Sequence, residues 1–212
     1  LAKGTNYGTA TVFTDADNLW NTTTNQDDAA NDAHFGAEKT YDHYFNTYGF
    51  NSIDNAGLTI KSYVHYSTNY INAFWNGSVM TYGDGNGSSY NPLTSLEIVG
   101  HEITHGVTEH SAALIYSGES GALNESFADI LGTCVEFYAK PLTANWNIGE
   151  DVMLPSGTVM RSMSNPNSRQ QPDTYNSPNG FWQNPNCGTP TPANDKCGVH
   201  TNSGVQNYWF YL

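Results

Sequence analysis

His101-Glu102-Ile103-Thr104-His105, inside the run Thr94 to Glu109 (TSLEIVGHEITHGVTE), is the stretch on which the reading turns. The run reads as a helix, with Pro92 just before it and Thr94 or Ser95 as its cap. Glu97 stands at capping-box distance from Thr94. On a helix, residues four apart share one face. His101 and His105 can therefore meet one ion, with zinc–nitrogen bonds of about 2.0–2.1 Å. Glu102 is rotated by roughly 100° from that stripe. It flanks the ion, where a base acting on water belongs.

A five-residue pattern recurs by chance, and a surface helix with two spare histidines is the bland alternative. The next helical run, Gly121 to Ala139, ended by Pro141, weighs against it. Catalytic zinc takes three protein ligands and keeps one open position. Glu125 is the natural third ligand. Asp129, four residues on, is placed to accept the second ring N–H of a zinc-bound histidine and fix its tautomer.

The rest of the chain fits around these two helices. The first ninety residues read as β-rich, with strand candidates Thr9 to Phe13, Leu58 to Tyr66 and Ser78 to Tyr82 and one helix over Asp28 to Tyr48. Pro155 to Gly198 is loop-like. A last helix is expected from Asn202-Ser203 through Trp209, Phe210 and Leu212. Its uncapped aromatic end implies a missing partner, so the chain reads as truncated.

Bulk properties narrow the function. The chain has 212 residues, a formal net charge of −13 and only 13% charged residues. It has no basic stripe for nucleic acid. It also lacks the roughly 18-residue apolar run of a membrane span. Cys187 and Cys197 flank a turn-rich segment that a disulfide would close in an oxidising compartment; three free thiols in a cytosolic protein are the alternative. Cys134 reads as a small core residue.

Carboxylates line the same helical seam away from the histidines. Glu97 sits one turn before His101, and Glu136 lies close to three turns after Glu125. Asn145, Asn147 and Glu150 follow with oxygen donors. Buried acids side by side need a positive partner, which calcium would supply. Simple solvation is the other reading.

HEITH and SGALNESFADILGTCVEFYA (from Ser120) resemble the thermolysin family of zinc neutral metalloproteases. So do NAFWNGSVMTYGDG from Asn72, ALIYSGESGALNES from Ala113, NIGEDV from Asn147, MRSMSNP from Met160 and GVHTNSGV from Gly198. The resemblance implies an α+β fold. A β-rich N-terminal part (1–110) ends in the zinc helix, and an incomplete, mainly helical part (111–212) lies across a cleft. It implies a secreted endopeptidase acting on protein and peptide substrates, without nucleic-acid or membrane partners. The missing parts of its own precursor are further candidate partners.

The same resemblance assigns zinc to His101, His105 and Glu125, and the general base to Glu102. Tyr116 and His200 become donors to the reacting oxygen, with Asp195 orienting His200. Asn72 and Ala73 become the edge strand that pairs with substrate, and Arg161 the holder of the carbonyl on the leaving side. Ile98, Ile148 and Met160 surround the specificity pocket. All three are apolar, so cleavage before bulky hydrophobic residues is expected. The family's calcium site falls on Glu97, Glu136, Asn145, Asn147 and Glu150, with one ion expected rather than two because two asparagines stand where acids occur. Asp15 and Asp17 resemble a further calcium loop, and a third site before Arg161 is lost. An aminopeptidase would need an anchor for the substrate amino terminus, and none is visible. A catalytically dead binding module would not need Glu102, Tyr116 and His200 together.

Overall fold

The computed structural model describes residues 7–14 and 27–212. Four long helices dominate: α1 (Asp27–Tyr48), α2 (Leu96–His110), α3 (Gly118–Ala139) and α4 (Asp195–Tyr211). Between α1 and α2 lie three short strands, β1 (Ser62–Tyr63), β2 (Ala73–Trp75) and β3 (Met80–Tyr82). Their order is β1-β3-β2, with β1 parallel and β2 antiparallel to β3, so β2 is an edge among the described residues. A second pair, β4 (Asn147–Ile148) and β5 (Arg161–Ser162), links the loops after α3.

The N-terminal strands are shorter than their patterns imply. Thr9 to Phe13 forms no strand; a 3-10 turn, Tyr7–Thr9, runs into irregular chain. Leu58 to Tyr66 contributes only Ser62 and Tyr63. β-branched and aromatic residues favour a pleated, half-buried surface, but a neighbour must supply the ladder. A left-handed turn over 195–198 precedes the right-handed part of α4, which starts at Val199, close to the expected Asn202.

Helix α2 is buried on nearly every side; only His105, Glu109 and His110 escape full burial. A helix covered all round must lie in the middle of the fold. Close approach to α3 requires glycine. A Cβ on Gly132 would stand 2.5 Å from the Glu97 carbonyl oxygen, and one on Gly100 would stand 3.0 Å from Gly132 Cα. From α1, the Tyr44 hydroxyl meets Thr104 Oγ1 at 2.8 Å. The main apolar core, with Val64, Met80, Tyr82, Leu93, Val99 and Ile103, fills the space between α1, the sheet and α2.

Ser95 caps α2, but not through a capping box. Its hydroxyl donates to Glu97 Oε1 at 2.6 Å and accepts no helix N–H. At the other end of the chain, Trp209 is 72% exposed, while Trp146 packs against Phe210 and Tyr211 with centroids 6.2 and 5.5 Å apart. Part of that aromatic run thus finds its partner within the chain.

Candidate metal centre and active-site cleft

Two adjacent turns of α2 bring His101 Nε2 and His105 Nε2 to 2.9 Å from each other. Across the α2–α3 contact, Glu125 Oε2 stands 3.5 Å from the first and Oε1 3.3 Å from the second. Among the described residues, this trio alone forms a group of three or more His, Cys, Asp or Glu side chains with ligand atoms within 4.8 Å.

The opposite ring nitrogens are already engaged. His101 Nδ1 lies 2.8 Å from Asp129 Oδ1, and His105 Nδ1 lies 2.7 Å from Asn124 Oδ1. Both rings are thereby turned so that Nε2 faces Glu125. Glu125 is 1% exposed, and its Oε2 has no hydrogen-bond partner. Burial opposes its ionisation, yet the neighbouring His200, His105 and His101 hold its carboxyl well below the usual range. Burial likewise opposes charge on His105, and Glu125 overcomes it, raising that imidazole to about 9. Two imidazole nitrogens and one buried carboxylate, oriented from behind, fit a zinc ion.

Asp129 anchors the back of this centre. Its Oδ2 accepts from Arg161 Nε at 2.8 Å and from Asn207 Nδ2 at 2.8 Å, and its Oδ1 from Arg161 Nη2 at 2.6 Å. Burial alone would raise its carboxyl; Arg161 and His101 bring it down to about 2. Glu102 points the other way, toward the sheet, where its Oε2 accepts from the Trp75 backbone N–H at 3.1 Å. Tyr116 and His200 complete the cleft. The Tyr116 hydroxyl donates to Glu125 Oε1 and lies 3.2 Å from His200 Nε2. His200 Nδ1 in turn stands 2.5 Å from Asp195 Oδ1.

Residues 1–109 match the family described as thermolysin metallopeptidase, catalytic domain, and residues 112–212 match thermolysin metallopeptidase, alpha-helical domain. The chain belongs to the thermolysin family. It is 47% identical over 214 residues to a bacillolysin of Bacillus cereus, covering 100% of this chain and 35% of the relative. It is 46% identical over 189 residues to a thermolysin of Alicyclobacillus acidocaldarius, covering 88% and 32%. The precursor of protealysin, a metalloproteinase from Serratia proteamaculans, shares its fold with a TM-score of 0.78 and 37% identity, over 90% of this chain and 61% of that one. The chain thus spans about 35% of the length of the first of these relatives.

The cleft of this thermolysin-family chain holds about 710 Å³ and is lined by both halves. Asn72, just before the edge strand, and Ala73, its first residue, line it together with Ile98, Met160 and Arg161. Ile148 does not join them. It is 1% exposed and packs with Ile130 and Met163 in a second core cluster.

The acids of the expected calcium site gather where α2, α3 and the β4 turn meet. Glu97 Oε1 accepts from the Gly149 N–H at 3.1 Å, and Asn145 Nδ2 donates to Glu150 Oε1 at 2.6 Å. Burial, reinforced by Glu97 and Glu150, pushes the Glu136 carboxyl up to about 7. Glu136 Oε2 and Glu150 Oε2 are buried without hydrogen-bond partners. Asn145 Oδ1 is taken by the Asn147 N–H at 2.8 Å. Asp15 and Asp17 lie outside the described residues.

Cys187 and Cys197 are joined in a disulfide, and Cys134 is free. Three functional contacts escape sequence reasoning: Asn124 behind His105, Asn207 behind Asp129, and Glu109, whose Oε2 accepts from Trp75 Nε1 at 2.6 Å. Asn124 adjoins Glu125, so its place beside the ligand was the one available signal. Asn207 is remote in sequence and gave none.

Proposed function

We propose that the chain is the catalytic part of a secreted zinc endopeptidase, with residues 1–110 and 111–212 forming the two walls of its cleft. The observation that carries this reading is the convergence of two imidazole Nε2 atoms and the Glu125 carboxylate beside Glu102, in a cleft bordered by an edge strand. His101, His105 and Glu125 would hold zinc, which supplies Lewis acidity that makes water acidic near neutral pH and polarises a carbonyl.

The chain's own residues do the rest. An extended substrate pairs with Asn72 and Ala73 of the edge strand. Glu102 takes the proton of the attacking water and passes it to the leaving amine. The Tyr116 hydroxyl and a protonated His200 donate to the carbonyl oxygen as its charge grows. Arg161, fixed by Asp129, holds the carbonyl on the leaving side. Ile98 and Met160 favour a bulky apolar side chain there, and peptide libraries preferring charged residues would contradict this.

Calcium is the inferred counterion for Glu97, Glu136 and Glu150, with Asn145 and Asn147 beside them. Its support is the pair of partnerless buried carboxylate oxygens. Export fits the disulfide. A precursor segment is a further proposed partner.

The test is casein hydrolysis with and without a zinc chelator, repeated on Glu102→Ala. Loss of activity in both cases, with zinc still bound by the variant, is expected. Hydrolysis that survives Glu102→Ala would sink the mechanism.

A further inference from the structure

The first turn of α4 is left-handed. Asp195, Lys196, Cys197 and Gly198 have φ of 52, 46, 69 and 84°, and right-handed helix resumes at Val199. Three of the four residues carry a Cβ, which crowds the following carbonyl oxygen in this conformation. Such residues normally occur singly. A run of three persists only where its surroundings hold it.

The turn has a consequence at His200. It brings the Asp195 carboxylate back over the start of the right-handed segment. Oδ1 reaches the imidazole at 2.5 Å, while Oδ2 accepts from the backbone N–H groups of His200 and Thr201, both at 3.0 Å. What holds the turn is partly the Lys196 N–H, which donates to the Thr191 carbonyl at 2.8 Å. Asn194 Oδ1 accepts from the Cys197 N–H at 3.4 Å, and a further restraint is covalent: Cys197 is tied to Cys187, ten residues earlier. The loop carrying Cys187 also rests on α3. A Cβ on Gly118, two residues after Tyr116, would stand 2.9 Å from the Pro185 carbonyl oxygen. Lys196 Nζ lies 4.9 Å from the Tyr116 ring centroid. The loop therefore bridges the segments that carry Tyr116 and Asp195.

We propose that the Cys187–Cys197 disulfide is a positioning device for His200: it holds the left-handed turn that aims Asp195, so that thiol reduction slows turnover without weakening substrate binding. This rests on the role given to His200 above. Cys187 is exposed and Cys197 is 3% exposed, so a dithiol reductant attacks the Cys187 sulfur. The S–S bond breaks and its electron pair leaves on Cys197, which takes up a proton. The second thiol of the reductant then displaces Cys187, leaving two reduced cysteines and an oxidised reductant. The released turn relaxes toward right-handed conformations, and the Asp195 carboxylate swings away from His200.

The test compares two double variants of the zinc-loaded chain, Cys187→Ser with Cys197→Ser and Cys187→Ser with Cys197→Gly. Glycine adopts positive φ freely, so it favours the turn without the crosslink. In the serine pair, kcat for a peptide is expected to fall at least about tenfold, because a misplaced donor forfeits alignment. KM should stay within about twofold and bound zinc should be unchanged. Amide exchange should accelerate over residues 195–201, dithiothreitol should reproduce the effect in the wild type, and reoxidation should reverse it. The glycine pair should recover most of the lost kcat. Equal kcat in wild type and serine pair, or equal losses in the two pairs, overturns the proposal. If the wild type shows no Glu102-dependent hydrolysis, the endopeptidase reading fails. Exchange confined to residues 195–201 would then still support the clamp, and unchanged exchange would overturn it.

Discussion

Nδ1 of His101 lies 2.8 Å from Oδ1 of Asp129, and that same oxygen receives Arg161 Nη2 at 2.6 Å. One carboxylate on α3 thus orients a metal-facing imidazole on α2 and a cleft arginine on β5. Asn207 of α4 donates to the same carboxylate, at 2.8 Å to Oδ2, so the group ties α2, α4 and β5 to α3.

Asp129→Asn keeps the shape of that hub and removes its charge. Zinc affinity is expected to fall about 10- to 100-fold, the usual cost of losing a partner behind a metal-bound histidine. Competition against a chromogenic chelator measures it. Unchanged affinity would mean that the ring is held by packing alone.

Tyr116 and His200 face the cleft 3.2 Å apart and share Glu125 as a neighbour. Tyr116→Phe and His200→Ala should each lower kcat by about 100-fold, with little change in KM. Their combined loss should be smaller than the product if, as proposed, the two donors serve one oxygen. Steady-state kinetics on the double-mutant cycle decides this; strictly multiplicative losses would separate their roles.

Calcium should stabilise the fold through the Glu97, Glu136 and Glu150 cluster. At about 100 times its dissociation constant, a bound ion adds about 2.7 kcal/mol. For a chain of this size that corresponds to a rise in Tm of about 5–10 °C. Glu136→Gln should remove most of the rise. Calorimetry in calcium and in chelator, showing identical melting, would leave those acids without a cation.

His43 predicts acid sensitivity far from the cleft. It is 6% exposed, packed against Tyr44 and Tyr48 of α1 and Tyr138 of α3, and burial lowers its pKa. The folded chain therefore resists protonation, while the unfolded chain takes a proton near pH 6.5. This contribution to stability is complete above that pH and declines as pH falls below it. His43→Phe should flatten the decline below about pH 6.5 in denaturant titrations. An equal slope in the variant would place the acid sensitivity elsewhere.

The histidine pair was legible because four-residue spacing on a helix is local geometry, and α2 forms as expected. The same holds for Glu125 and Asp129, which share a face of α3 and meet the two histidines once the helices pack. Ile148 shows the limit of such reading. Its apolar character suits a specificity pocket as well as a core, and only tertiary packing against Ile130 and Met163 decides for the core. The strand candidate at Thr9 to Phe13 is instead a 3-10 turn running into irregular chain, because β-favouring residue types set a preference that tertiary context overrides.

The sequence by itself determined the donor set, the helices that carry it and the charge class of the molecule, because these depend on residue type and short-range periodicity. Tertiary structure alone decided that Gly132 lets α3 come close enough for Glu125 to reach both imidazoles, and that Asn124 and Asn207 stand behind the centre. It also decided that three non-glycine residues turn left-handed to bring Asp195 under His200. Those features arise where segments distant along the chain exclude one another's volume, and no spacing rule within a single segment encodes that.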